Sequence, residues 1–481
     1  MPVNLNELLT LAGATAAEQA MLDNLQANIL RPHVRDHMSI LFLNFADQAE
    51  ARAFLAALAA TTNGLTKSAA IHFAELAQFH ATGAPGTPYV GVGLSATGYA
   101  AIGVNSTPAD TSFGRGMTSA ASRSILGDPP VSVWEQPFRQ LTAQTRIHAV
   151  IAIGDATDAA VSTARDAVLS LMTDSITLVA EETGLAQRNA AGEGIEHFGY
   201  IDGRSQPLFI TEDVTNEQDS TDGTNVWNPG AGLAQVVVPD PAAPDPTVHF
   251  GSYFVFRKLE QNVRRFRQSE HDLAVTLGIT DSDRAGAMIV GRFRDGTPLT
   301  LQRADGAADP IMNNFTYDSD VNGDKCPFHG HIRKTNPRGS GGAELLPDER
   351  RHLMTRRGQT YGNRTDVPFD ETVPITARPT DGVGLLFMAF NSKINFDVDG
   401  APGAQFDFTQ AVWANNPGFP VGPPPPPGLD PVIGQGARPG QSYPLTWGES
   451  DRSVVPAIAQ AVRMRGGEYF FMPSLPFLRG L

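Results

Sequence analysis

Residues 325–338 read Lys-Cys-Pro-Phe-His-Gly-His-Ile-Arg-Lys-Thr-Asn-Pro-Arg. They gather two of the chain's eleven histidines, its sole cysteine and four cationic side chains. A neutral imidazole is the commonest protein ligand for iron or zinc, and nearby arginines can neutralise an anionic cofactor group through paired hydrogen bonds. Together these types point to a bound iron centre that carries carboxylates, which is haem. The same residues also suit a basic loop with two surface histidines. With no second cysteine, Cys326 excludes a Cys-rich zinc site, an intrachain disulfide and the Cys-x-x-Cys-His attachment of covalent haem. His329 and His331 stand two apart and face opposite sides of an extended segment, so at most one meets a metal.

Two further passages carry chemistry. In Glu196-His197-Phe198-Gly199-Tyr200-Ile201-Asp202-Gly203-Arg204, glycines flank Asp202 and let a flat ligand approach the backbone. An ordinary Asp-Gly turn reads the same way. In Arg356-Arg357-Gly358-Gln359-Thr360-Tyr361-Gly362, adjacent arginines on a strand face opposite ways, so one enters a pocket while the other meets solvent. A solvated charged turn is the alternative.

These passages occur in a particular order, and the chain resembles the dye-decolourising peroxidases, a family of haem b peroxidases. Gly199 to Gly203 matches the family's Gly-x-x-Asp-Gly motif, and His331 to Arg338 its proximal-histidine motif. Arg356 to Gly362 matches the distal-arginine segment, and Gly466 to Ser474 the C-terminal signature. Weaker similarity starts near Leu25. The resemblance implies His331 as the iron ligand, Asp202 as the distal acid–base residue and Arg356 as the distal arginine. It sets Arg338 near a haem propionate, with Arg204 helping and Gly203 against the cofactor. It also implies an acidic partner for the proximal histidine, for which Asp407 is the first candidate and Asp397 the second. His329 and His197 are read as bystanders, and Trp413, Tyr361 and Tyr469 as possible electron relays that are equally at home in a core.

The implied activity is oxidation of aromatic donors, such as dyes and phenols, by hydrogen peroxide through a ferryl porphyrin radical on non-covalent haem b. A carboxylate is a weaker base than imidazole, so Asp202 as base implies an acidic optimum. The alternatives are another haem chemistry on the same scaffold, or a haem-binding protein with little turnover.

These residues need elements to hold them. Met38–Phe45 reads as a strand and Gln48–Ala60 as a helix; Ile147–Ile153, Thr157–Met172 and Ile176–Glu181 read as strand, helix and strand. A polar Pro- and Gly-rich stretch over about 215–247 follows. The pattern restarts with a strand over Gly251–Arg257 and a helix over Leu259–Leu277. Gly384–Asn391, Ala404–Trp413 and Gly467–Phe471 then read as strand, helix and strand. The fold class is α+β, and the resemblance implies two ferredoxin-like domains, each an antiparallel sheet with flanking helices, haem being bound mainly by the second. Residues 1–215 form the first domain, 216–247 the connection and 248–481 the second. Pro423 to Pro427 read as a surface loop. Asp281-Ser282-Asp283 and Asp318-Ser319-Asp320 lack full calcium-loop spacing and read as turns.

Composition narrows the setting. The 481 residues are 41% hydrophobic, enough for sizeable cores, and the net charge of −15 argues against nucleic acid and anionic membranes. No apolar run reaches eighteen residues. The N-terminus lacks a basic region followed by an apolar one, so a cytoplasmic location is the default and export stays open. Oligomeric state has no signature.

Overall fold

Two strands buried on both faces begin the two halves of the molecule: β1, His37–Phe45, and β5, Phe250–Gln261. Burial on both faces gives each an unbroken apolar stretch, residues 40–43 and 253–256, in place of alternation. The computed structural model describes residues 2–306, 309–368, 370–395, 403–422 and 424–481. In the first half β1 leads to α1 (Gln48–Leu58), β2 (Tyr89–Leu94), β3 (Ala149–Asp155), α2 (Asp158–Ser170) and β4 (Ile176–Leu185). Asp47 and Thr157 start the two helices by accepting from the backbone N–H groups of Glu50 and Ala160. The strands lie in the order β2-β3-β1-β4, all antiparallel.

The second half repeats that logic. After β5 come α3 (Val263–Leu277), α4 (Ser282–Val290), α5 (His331–Thr335), β6 (Thr355–Arg356), β7 (Gln359–Tyr361), β8 (Gly384–Asn391) and β9 (Val462–Met472). The order is β7-β8-β5-β9, with β6 also on β8. The helix expected from Leu259 starts only at Val263, because β5 runs on to Gln261. The helix expected over 404–413 is one turn, Phe406–Phe408, running into π-helical Thr409–Ala414.

β2 was not foreseen. It carries glycines at 91 and 93 and is buried throughout, so it shows no period-two pattern. It nevertheless joins the halves, pairing Leu94 with Phe471 of β9. The sheet then curls until its edge strands meet: the Thr360 hydroxyl on β7 donates to the Leu185 carbonyl on β4. Aromatic rings from both halves fill one core, with Phe42 and Phe256 centroids 4.7 Å apart and Phe254 and Phe390 5.2 Å apart.

The stretch expected as the connection carries regular structure of its own. Its start lies within a helix, Thr211–Ser220, and Val238–Pro239 pairs with β5. Asp281 caps α4, and Asp320 pairs with Arg333, so both suspected calcium fragments serve structure. Pro423 lies outside the described residues. No helix among the described residues is long and apolar enough to cross a membrane.

Candidate active site

α5 and the segment before β6 face a cavity of about 520 Å³ between the β5–β8 surface and the 194–207 loop. His331, Asp202, Gly203, Arg204 and Arg356 all line it, together with apolar Val290, Ile332, Leu385, Phe387, Val432 and Ile433. The three passages singled out in the sequence therefore meet in space.

His331 begins α5 and is about a quarter exposed, towards the cavity it lines. Its Nδ1 lies 2.8 Å from Asp430 Oδ2. Asp430 is fully buried, and its Oδ1 accepts from the Val432 and Ile433 N–H groups at 2.8 and 3.0 Å. His331 and those two amides hold the Asp430 carboxyl below its ordinary value despite burial, and Asp430 in turn raises the His331 imidazole. With Nδ1 engaged, Nε2 is the nitrogen left for a ligand.

Asp407, the first candidate for that partner, is not there. It is buried against Ser112 Oγ at 2.5 Å and Tyr469 OH at 3.0 Å, where burial pushes its carboxyl up to about 7. The reason is topological: the Phe406–Phe408 turn directs Asp407 towards β9, while the later loop brings Asp430 back under α5. Asp397 lies outside the described residues.

Asp202, on the 194–207 loop, is exposed into the cavity and anchored by its own turn, with Gly203 N–H donating to Oδ1 at 2.6 Å and Asp202 N–H to the Gly194 carbonyl at 3.1 Å. Gly199 and Gly203 have φ of 98° and 83°, a region open to glycine at little cost. Phe198 stacks on Phe266 of α3 at 4.0 Å, which docks this loop on the second half. Glu196, six residues before Asp202, accepts from Phe198 N–H, Tyr200 N–H and the Gln261 side chain, yet burial pushes it up to about 7.

Arg356 sits on β6, where Gln206 accepts its backbone N–H at 3.0 Å; its Nη2 has one long contact, 3.4 Å, to the Arg204 carbonyl. Among the described residues no carboxylate pairs with it. Arg357 faces away as expected but is buried, not solvated. It donates to the Asn28 and Ile29 carbonyls and so ties the N-terminal segment to this strand.

Arginines mark one end of the cavity. Arg204 donates to the Ile311 carbonyl at 2.9 Å and pairs with Glu217 at 2.8 Å. Arg338, expected beside an anionic group, stands behind the wall: its guanidinium serves the Asn313 and Phe315 carbonyls, Asn313 Oδ1 and Ser205 Oγ at 2.6–2.8 Å. Arg292 was missed in the sequence, yet it lines the cavity fully buried. Its Nη1 donates to the Gly296 and Met312 carbonyls, its Nη2 finds no acceptor among the described residues, and burial pulls it down to about 10. No spacing signal marks either Arg292 or Asp430.

The bystanders are core. His329 packs edge-on to Tyr443 at 4.5 Å, and burial lowers it to about 3. His197 Nε2 bonds the Tyr361 carbonyl at 2.8 Å. Trp413, Tyr361 and Tyr469 are all buried. Among the described residues no group of three or more His, Cys, Asp or Glu side chains is placed to hold a metal ion.

Residues 24–188 match the model of a family described as the DyP dimeric alpha+beta barrel domain. The chain is 57% identical, over the whole of both chains, to the multifunctional dye peroxidase DyP2 of Amycolatopsis sp., whose solved structure superposes with a TM-score of 0.94. A DyP-type peroxidase of Anabaena sp. is 36% identical, with a TM-score of 0.88 over 99% of this chain and 98% of the other. A dye-decolourising peroxidase solved as a complex with 2,6-dimethoxyphenol is 27% identical, with a TM-score of 0.72 over 95% and 98%.

Proposed function

The chain belongs to the DyP-type dye-decolourising peroxidase family and is a haem-dependent peroxidase, and we propose that it oxidises phenols and related aromatic donors with hydrogen peroxide at the His331–Asp202 cavity. The observation that carries this reading is the gathering, around one cavity, of an imidazole backed by a buried carboxylate, a second, exposed carboxylate and a guanidinium that no carboxylate pairs among the described residues. The donor class follows the relative solved with 2,6-dimethoxyphenol.

The residues present fit haem b held without a covalent bond. His331 Nε2 is free to ligate iron, and a lone histidine suits a metal whose other positions a porphyrin fills. Arg292, with its orphaned Nη2, and Arg204 would take the propionates, with Arg338 bracing that wall through Ser205. Gly203 admits a flat ligand because a Cβ there would meet nothing within 4 Å. We assign residues 1–215 and 248–481 to two ferredoxin-like units joined by 216–247, the second supplying His331, Asp430, Arg292 and Arg356.

When bound, haem supplies the iron at which peroxide is reduced and from which oxidising equivalents pass one at a time to a donor. The chain's own residues do the rest. Asp202 takes the proton from one peroxide oxygen and delivers it to the other. Arg356, uncompensated by a carboxylate, stabilises the charge that grows on the departing oxygen. Asp430 accepts a hydrogen bond from His331 Nδ1 and makes the imidazole a stronger electron donor. Leu385 and Phe387 give the cavity an apolar wall, beside which both electrostatic effects are stronger than in open water.

The test is the absorption spectrum of haem-reconstituted protein before and after one equivalent of peroxide, followed by addition of a phenol. A Soret band that drops and shifts with peroxide and recovers with the phenol is the expected result. A Soret band indifferent to peroxide would leave a haem-binding protein, and no Soret band would remove the haem assignment.

A further inference from the structure

Among the described residues, side-chain hydrogen bonds join α5 to the segment that carries Asp430 at two positions, and one of them is the His331–Asp430 bond. The other is Lys334, three residues on and therefore on the same side of the helix. Lys334 is fully buried, and its Nζ donates to the Asn416 carbonyl at 2.9 Å, the Gly428 carbonyl at 2.7 Å and the Phe419 carbonyl. Three acceptors match the three N–H donors of an ammonium group.

Those carbonyls belong to the backbone that sets Asp430. Gly428 is two residues before it, and Asp430 N–H itself donates to Ala414, two residues before Asn416. Burying an ammonium is costly, and an apolar side chain here would instead leave the buried Phe419 and Gly428 carbonyls without this donor. A lysine at this position is therefore explained by the loop it gathers.

We propose that Lys334 is a positioning residue for the proximal histidine: it clamps the backbone at Asn416, Phe419 and Gly428 to α5 so that Asp430 stays hydrogen-bonded to His331 Nδ1. The proposal rests on His331 as the iron ligand. It also has a physical rival, in which Lys334 acts on Asp430 only through its charge. The two differ in sign. Losing the clamp weakens the His331–Asp430 bond, whereas losing only a nearby positive charge makes Asp430 a better acceptor and strengthens it.

The iron–histidine stretching band of the ferrous haem-loaded enzyme, read by resonance Raman, reports that bond directly. In Lys334→Met the band should fall most of the way to its position in Asp430→Asn, and the double variant should sit where Asp430→Asn sits alone. A rise, or no movement, overturns the clamp. Lys334→Arg keeps the charge, but its planar fork cannot serve three carbonyls arranged around an ammonium; its band should fall by less. If Lys334→Met does not fold, Lys334→Arg decides, a fall supporting the clamp and an unmoved or raised band overturning it. If Asp430→Asn lowers the band and neither Lys334 variant does, only the clamp fails. If Asp430→Asn leaves it unmoved, the iron-ligand reading fails and the clamp with it.

Discussion

On one side of the cavity His331 is fixed through a fully buried carboxylate that is itself held by two amides, while on the other Asp202 projects from a glycine-flanked turn with one bond to its neighbouring N–H. The Arg356 guanidinium, which lines the same cavity, has among the described residues only a long contact to the Arg204 carbonyl. The difference matches the tasks proposed for these residues. A ligand must keep one geometry and one tautomer, which a buried, fully satisfied network provides. Groups that move a proton and meet developing charge must stay uncommitted until peroxide arrives. The same contrast separates two carboxylates: Asp430, paired with His331, is pulled below its ordinary value, whereas part-buried Glu196, with three N–H donors and no paired cation among the described residues, is pushed up to about 7.

Removing the ligand is the strongest way to break this comparison. His331→Ala should lose haem on gel filtration and with it all turnover; normal haem content and an unmoved Soret band would refute the assignment. On the distal side the chemistry should go while the structure stays. Asp202→Asn should bind haem and melt like the wild type, yet react with peroxide slower by about 10²–10⁴-fold in stopped flow. Arg356→Leu should follow with a loss of about 10²–10³-fold, again at unchanged haem content. Asp430→Asn sharpens the contrast from the other direction, since it should lower both haem affinity and turnover, each by about 10–100-fold, and reduce the melting temperature. If Asp202→Asn destabilised the fold more than Asp430→Asn, the contrast would be wrong.

The smallest effect is one of pH. The Glu196 carboxyl ionises near its ordinary 4.5 in the unfolded chain and near 7 in the folded protein. The folded state therefore holds an extra proton between these values, and stability declines as pH rises through them, by at most ~3 kcal/mol. Glu196→Gln should flatten that slope in denaturant titrations at pH 5 and pH 8. An unchanged slope would assign it to other buried acids.

Local chemistry was legible from residues alone. Glycines around Asp202 announce a turn because φ near +90° is a property of one residue and its neighbours. His331, Asp202 and Arg356 stood out by type and motif, and β1, α2 and β8 by period and composition. What packing alone decided is what lies far apart in the chain. Asp407 and Asp430 are the same residue type and equally buried, and only the course of the chain between them puts one beside Tyr469 and the other under α5. Arg292 and Arg338 are both buried arginines, and the wall happens to run between them. β2, glycine-bearing and buried on both faces, shows no pattern of its own and becomes a strand because β3 and β9 offer it unpaired edges. A side chain's type is written in the sequence, but its partner is set by which distant backbone tertiary packing brings within hydrogen-bond reach.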